Sequence, residues 1–290
     1  MIKMRFCLLS FDRVDFIFAL RLIIIACFLG SVFNSNAQVT LLWPSKGKFQ
    51  YYPNENASVR FYITENNNPG DLTIKKNNVQ QLLHYTPNGR VVDIAAALTD
   101  TSVSSINLAS LDEGTHMLIF HSKNTFQEIE APVFNTFLQE NICTDAINYR
   151  TLNKEDSMSG KENFQSSIKT IFQAGHSKSR ICIQQTTLPL DIVPGKNVYD
   201  CKEGSTISKI FFTVYFKGKP LKNATVKIGH KLRDEELTSI VLKTDKKGRI
   251  KTGIKCNGLW RITVVQLQHL QAGSKAGWQC YSGSLTWGYN

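Results

Sequence analysis

Lys209-Ile-Phe-Phe-Thr-Val-Tyr-Phe216, Ala224-Thr-Val-Lys-Ile228 and Ile240-Val-Leu-Lys-Thr-Asp-Lys-Lys-Gly-Arg-Ile-Lys-Thr-Gly-Ile254 decide the fold class of this chain. Ile210, Phe212, Val214 and Phe216 recur at every second position, as do Val226 with Ile228, and Ile250, Thr252 and Ile254. Alternation of that kind places one apolar face of a strand on a core and leaves the other to solvent. Asp245-Lys-Lys-Gly248 puts a glycine where a hairpin turn needs positive φ, and Lys217-Gly-Lys-Pro220 supplies a second connection. Together with 258–268 and 282–289, residues 188–290 read as about seven strands, the pattern of an immunoglobulin-like or transthyretin-like sandwich.

Working toward the N-terminus, short strands are expected at 57–63, 72–75, 91–98 and 115–122. They are separated by Asn66-Asn-Asn-Pro-Gly70 and Pro87-Asn-Gly89. Between 131 and 175 the period changes. Phe164, Ile168, Ile171 and Phe172 fall at the spacing of one helix face, Pro132 suits a first helical turn, and Gly175 suits a C-cap. A strand is expected again at 180–186, and 188–196 reads as a junction. The expected organisation is therefore mainly β: a signal peptide at 1–37, an N-terminal β-sandwich at 38–187 with a helical insert at about 131–175, and a C-terminal immunoglobulin-like β-sandwich at 188–290.

The N-terminal assignment rests on Arg21, the apolar stretch from Leu22 to Phe33, and the small-residue triplet Ser35-Asn36-Ala37. About a dozen apolar residues fall short of the ~20 that cross a bilayer as a helix, so cleavage after Ala37 is the preferred expectation. Ile24-Ile-Ala-Cys27 resembles a lipoprotein cleavage box, and a lipidated or uncleaved N-terminus remains as the membrane-associated alternative. Cleavage would remove Lys3, Arg5, Arg13 and Arg21 against Asp12 and Asp15, lowering the formal charge by two from +11. The remaining lysines are spread along the chain in short runs such as Lys75-Lys76 and Lys246-Lys247. That pattern reads as a solvated basic surface, with attraction to acidic lipid or polysaccharide as the alternative, and implies no nucleic-acid partner. Of seven cysteines, Cys143, Cys182, Cys201, Cys256 and Cys280 follow the cleavage point. An exported chain with these five can carry two bridges and one free thiol, in a pairing that spacing does not reveal. None lies in a C-x-x-C, so zinc and thioredoxin-like chemistry find no signal.

Two stretches carry a family resemblance. Leu111-Asp-Glu-Gly-Thr-His-Met-Leu-Ile-Phe-His-Ser-Lys-Asn-Thr-Phe-Gln-Glu-Ile-Glu130, followed by Phe134-Asn-Thr-Phe-Leu-Gln-Glu140, resembles the centre of the family called domain of unknown function 4198. Gly218-Lys-Pro-Leu-Lys-Asn-Ala-Thr-Val226, Thr244-Asp-Lys-Lys-Gly248, Gly258-Leu-Trp260 and Ser282-Gly-Ser-Leu-Thr-Trp287 resemble its second half. The resemblance implies an exported β-sandwich protein, some of whose relatives accompany nickel or cobalt uptake systems, and it implies no enzyme. It also implies a histidine just after the signal peptide and another in the strand after the Gly-x-Trp motif. Those places hold Gln38 and Gln266, and an amide is a poor ligand for nickel or cobalt beside imidazole.

The remaining candidates are weighed as chemistry. His84, His116, His121, His176, His230 and His269 are the available imidazoles; His116 and His121, five apart on a strand, point to opposite faces. Gly175-His-Ser-Lys-Ser179 imitates a nucleophile elbow without its final glycine. Ser166-Ser-Ile-Lys169 and Lys251-Thr-Gly253 imitate penicillin-binding motifs without the S-x-N between them. No Walker loop, G-x-G-x-x-G or EF-hand loop is present. Trp43, Trp260, Trp278 and Trp287 could form a ligand platform, with Trp260 and Trp287 placed in strands and so assigned to the core. The expectation is an exported, non-catalytic binding or accessory protein of the cell envelope with no cofactor, engaging an envelope protein or small ligand. The alternatives are a cation-handling protein of a nickel/cobalt-type importer, binding a divalent metal at residues the sequence does not name, and a structural or adhesion-like envelope module.

Overall fold

A computed structural model describes residues 39–65, 68–96, 98, 102–232, 235–271 and 273–289. The expected signal peptide and Gln38 lie outside these residues. In chain order the strands are β1 (Val39–Pro44), β2 (Gln50–Tyr51), β3 (Ala57–Glu65), β4 (Asn68–Asp71), β5 (Ile74–Lys75), β6 (Val79–Tyr85) and β7 (Val91–Asp93). Then come β8 (Ser102–Val103), β9 (Ser105–Leu108), β10 (Gly114–Ser122) and β11 (Thr125–Ile129), followed by helices α1 (Ala131–Glu140) and α2 (Thr144–Leu152). The rest are β12 (Gly160–Ala174), β13 (Leu190–Pro194), β14 (Thr206–Phe216), β15 (Lys219–Pro220), β16 (Thr225–Lys231), β17 (Thr238–Lys243), β18 (Arg249–Lys255), β19 (Leu259–His269) and β20 (Trp278–Gly288). The protein is mainly β, as its alternation implies.

One ten-stranded sheet organises the chain. Its order is β17-β16-β19-β20-β12-β10-β6-β7, with β11 and β2 also paired to β12. β12 runs parallel to β20 and antiparallel to β10. This parallel step joins strands from both sides of residue 187, so the expected units 38–187 and 188–290 share a single sheet.

Each face of that sheet carries a smaller one. Leu118 and Phe120 of β10 point into a core with Leu42, Phe61 and Ile106, under the sheet formed by β1, β3, β4 and β9. Met117 and Ile119 point the other way, into a core with Ile192, Phe212 and Trp287, under the sheet of β13, β14, β15 and β18. Strands covered on both faces bury nearly every side chain, as β10, β12 and β20 do.

That double burial corrects the helical insert. Helices occupy only 131–140 and 144–152, while Phe164, Ile168, Ile171 and Phe172 lie on the fifteen-residue strand β12. Ile168 and Phe172 face one core and Ile171 the other, so apolar residues on both faces imitate a helical period. Two further expectations change: 180–186 holds a 3₁₀ turn at Ile181–Ile183 in place of a strand, and β6 is an additional strand at 79–85. The presumed junction at 188–196 contains β13, which pairs with β14.

Helix α1 starts at Ala131-Pro132 as expected, with proline where no intrahelical donor is required. Phe134, Phe137 and Leu138 pack with Trp278 and Cys280 to form a third core. Gly160 lets Phe134 sit directly on β12, since a Cβ there would lie 2.3 Å from the ring. Arg150 is buried beside this helix pair. Its guanidinium donates to the Glu155 and Met158 carbonyls at 2.7 Å, to Asn135 Oδ1 at 3.1 Å, and lies over the Phe134 ring.

In the C-terminal half the turn between β17 and β18 has the predicted chemistry but closes no hairpin: β17 pairs with β16 in the large sheet and β18 with β14 in the smaller one, so the turn carries the chain from one sheet to the other. Gly248 has φ +71°, and Asp245 Oδ1 accepts from the backbone N–H of Lys247 at 2.8 Å and of Arg249 at 2.9 Å. Among the described residues one disulfide, Cys201–Cys256, ties the end of β18 to the segment before β14. Cys143, Cys182 and Cys280 are free thiols. No helix among the described residues is long and apolar enough to cross a membrane.

Candidate functional site

The histidines do not converge into a metal site. His84 on β6 and His116 on β10 meet, with His84 Nε2 3.0 Å from His116 Nδ1 and rings stacked at 5.2 Å. His116 Nε2 lies 2.8 Å from the Asp112 carbonyl, which can only accept. Its Nε2 therefore carries the proton, and Nδ1 accepts from His84. The Phe172 ring lies parallel to His116 at 5.2 Å. Burial, with the neighbouring imidazole second, pushes His84 down to about 4. Burial also lowers His116 against the opposing bond to Asp112.

His121 points to the opposite face, as its spacing predicts, and its buried Nε2 has no hydrogen-bond partner. His176 lies in an exposed turn, where its backbone N–H donates to Glu113. His269 packs 4.1 Å from the Tyr149 ring and 5.1 Å from Trp278. Gln266 lines a cavity of about 110 Å³ with Cys143 and Lys243, and its Nε2 donates to the Leu267 carbonyl. Among the described residues, no three of His, Cys, Asp and Glu are grouped to hold a metal ion.

His230 belongs to a different arrangement. β17 ends the ten-stranded sheet and β18 ends the sheet facing it, and between them opens a cleft of about 390 Å³. Ile228, Ile240, Ile254 and Trp260 give it an apolar lining; Thr206, Thr238, Ser239, Thr252, Lys255 and His230 supply polar groups. The volume falls in the range of small-ligand sites, and an apolar wall with a few convergent polar groups is their usual composition.

The aromatic wall is held rigidly. Trp260 Nε1 donates to the Lys255 carbonyl at 2.9 Å. Its ring lies between the His230 imidazole at 4.2 Å and Trp287 at 5.7 Å, and Trp287 stacks on Phe212 at 5.4 Å. This row runs from the cleft into the C-terminal core. His230 Nε2 lies 3.0 Å from the Asn257 carbonyl, so that nitrogen donates and Nδ1 is the remaining acceptor. Trp287 is core as expected, whereas Trp260 is both buried and part of the cleft wall. The other tryptophans sit elsewhere: Trp43 packs on Phe49 and Tyr62, and Trp278 lies under α2 beside Tyr149.

The imitated enzyme motifs are structural. Ser166 Oγ meets Thr40 Oγ1 at 3.4 Å, Lys169 forms an ion pair with Asp191, and Lys251-Thr-Gly253 lies within β18. The cleft itself had no motif to announce it. Its only sequence signal is the apolar Ile240-Val-Leu in a strand that the structure leaves largely exposed.

The model of the family described as Domain of unknown function (DUF4198) matches residues 41–268. The chain belongs to this family. The match takes in β10, both helices, the cleft strands and most of β19 of this DUF4198 member, and ends before β20.

No curated protein matches the chain. Among solved structures, the D0-D1 domain of intimin is similar over 87% of this chain and 100% of its own, at 12% identity and a TM-score of 0.21. The chicken interferon gamma receptor alpha chain is similar over 79% and 87%, at 7% identity and 0.20. A tetra-tandem repeat from the extending region of a large adhesion protein covers 89% and 51%, at 10% identity and 0.21. Likenesses this distant set no correspondence of sites.

Proposed function

We propose that this DUF4198 member is an exported, non-catalytic binding protein of the cell envelope, and that the cleft between β17 and β18 receives the apolar part of its ligand. The observation that carries the reading is the fixed wall of Trp260. It is hydrogen-bonded to Lys255, stacked on both sides and set beside the half-exposed Ile240 in a cavity of about 390 Å³. A rigid aromatic wall binds without first losing conformational freedom. Two features support export: the apolar stretch closing on Ser35-Asn36-Ala37, and the Cys201–Cys256 bridge, which suits an oxidising compartment.

Titration with the apolar anionic dye anilinonaphthalene sulfonate tests the site. One saturable site on the folded protein is expected, lost in Ile240→Asp, whose half-exposed position leaves the core intact, and weakened in Trp260→Leu. Dye binding that survives Ile240→Asp in a protein with a native circular dichroism spectrum would place the ligand surface elsewhere.

A further inference from the structure

The two ends of the large sheet are unlike. One closes on β7, only three residues long. The other closes on β17, six residues with no proline, bonded to β16 on one side and to no strand on the other among the described residues. Ile240 and Val241 of β17 are 50% and 47% exposed. An edge of this length, carrying apolar side chains, is a template for a further strand unless a protein blunts it. Lys243 is its only charged residue.

Charges flanking β17 select the occupant. Exposed Glu235 and Glu236 precede the strand, and exposed Lys246 and Lys247 follow it. Antiparallel pairing of two copies brings the acidic flank of each toward the basic flank of the other, whereas parallel pairing sets like charges together. A two-fold axis normal to the sheet keeps each residue on its own face, so facing residues must lie an even number of positions apart. With Val241 on the axis, Ile240 faces Leu242 of the second copy and Ser239 faces Lys243, while Glu236 and Glu235 approach Lys246 and Lys247.

We propose that two copies of this chain associate antiparallel through β17 with Val241 at the two-fold axis, joining their ten-stranded sheets into one. Because the axis preserves faces and Ile240 lines the cleft, both clefts open on the same side of the joined sheet and flank the axis. This goes beyond the binding role proposed above and does not depend on the cleft having a ligand.

Sedimentation velocity on the exported protein tests the assembly. The expected mass is twice that of one chain, and Val241→Lys, which sets like charges on the axis, reduces it to one. Val241→Cys reports the register: residues facing each other in such a ladder lie about 4.5–5.5 Å apart at Cα, within disulfide reach. Oxidation should therefore cross-link that variant through position 241, as peptide mapping would show, while Ser239→Cys forms no link through 239. A single-chain mass at every concentration overturns the proposal, even if another protein's strand is found on β17. A dimer that survives Val241→Lys, or a Val241→Cys dimer that does not cross-link through 241, overturns it as well. Thermal melting of each variant confirms that the half-exposed position leaves the fold intact, and the dye titration above reads the cleft separately.

Discussion

The Lys169 ammonium and the Asp191 carboxylate form an ion pair whose side chains are 1% and 0% exposed, linking β12 of the large sheet to β13 of the smaller one. Lys169 also donates to the Ile192 carbonyl at 3.2 Å, while Asp191 Oδ2 accepts from the Thr186 backbone N–H at 2.7 Å and hydroxyl at 3.0 Å. Removing one partner strands a buried charge, which costs about 3–5 kcal/mol, whereas replacing both by apolar groups is often neutral. Lys169→Met should therefore lose stability by about that amount, and Lys169→Met with Asp191→Leu should recover most of it. Urea unfolding of the parent, the single and the double variant measures the difference. An equal loss in the single and double variants would mean that packing, not charge, governs the position.

The His84–His116 pair predicts acid sensitivity. Burial holds His84 near 4, below the ordinary 6.5, so the unfolded chain binds the proton more readily. The pair's contribution is present above about 6.5 and is lost as pH falls toward about 4. His84→Phe should flatten the melting profile across that window. An unchanged profile would show that the imidazoles are solvated.

Glu162 predicts the opposite trend. Its side chain is buried on β12 and accepts from Gln127 Nε2 at 2.5 Å. Burial, against smaller opposing bonds from Gln127 and Cys280, pushes it up to about 7 from an ordinary 4.5. Its contribution is complete below about 4.5 and is lost as pH rises through about 7. Glu162→Gln should melt higher than the parent at pH 8 and lose that advantage at pH 5. A variant less stable at both values would assign Glu162 an ionised structural role.

Thiol chemistry should separate the five cysteines. Non-reducing mass spectrometry of protein produced in an oxidising compartment should find the Cys201–Cys256 link and three thiols among these five. Cys182 and Cys280 are buried, and burial pushes Cys143 and Cys182 up to about 12. Native alkylation should therefore be slow and complete only after denaturation. Five thiols in protein recovered from an oxidising compartment would contradict the bridge.

Nickel and cobalt should bind weakly or not at all. Gln266 offers an amide oxygen where imidazole was expected, and the described histidines meet in no group larger than the His84–His116 pair, which is committed to its own hydrogen bonds. Isothermal titration of tag-free protein decides this. A stoichiometric site of micromolar or tighter affinity, abolished by changing a pair among His84, His121, His176 and His269, would promote the cation-handling role.

The cleft is illegible in the sequence for a physical reason. A place in a strand assigns Trp260 to the core, and the residue is 7% exposed. A residue can be buried by its own sheet and still form the wall of a gap between two sheets, and strand periodicity carries no information about where facing sheets part. His230 was one of six imidazoles, and only the pairing of Trp260 with His230 across β16 and β19 stacks it on the indole.

The alternation of Ile210, Phe212, Val214 and Phe216, the Asp245–Gly248 turn and the Pro132 helix start are local chemistry. Such chemistry is enough to set a mainly β chain, the strands of its C-terminal half, the first turn of α1 and the family to which it belongs. Local chemistry cannot say which strands become neighbours. The parallel pairing of β12 with β20, the burial of β12 on both faces that made it imitate a helix, the Lys169–Asp191 pair and the cleft at β17 all depend on contacts between segments far apart in the chain. They exist only once the chain has folded.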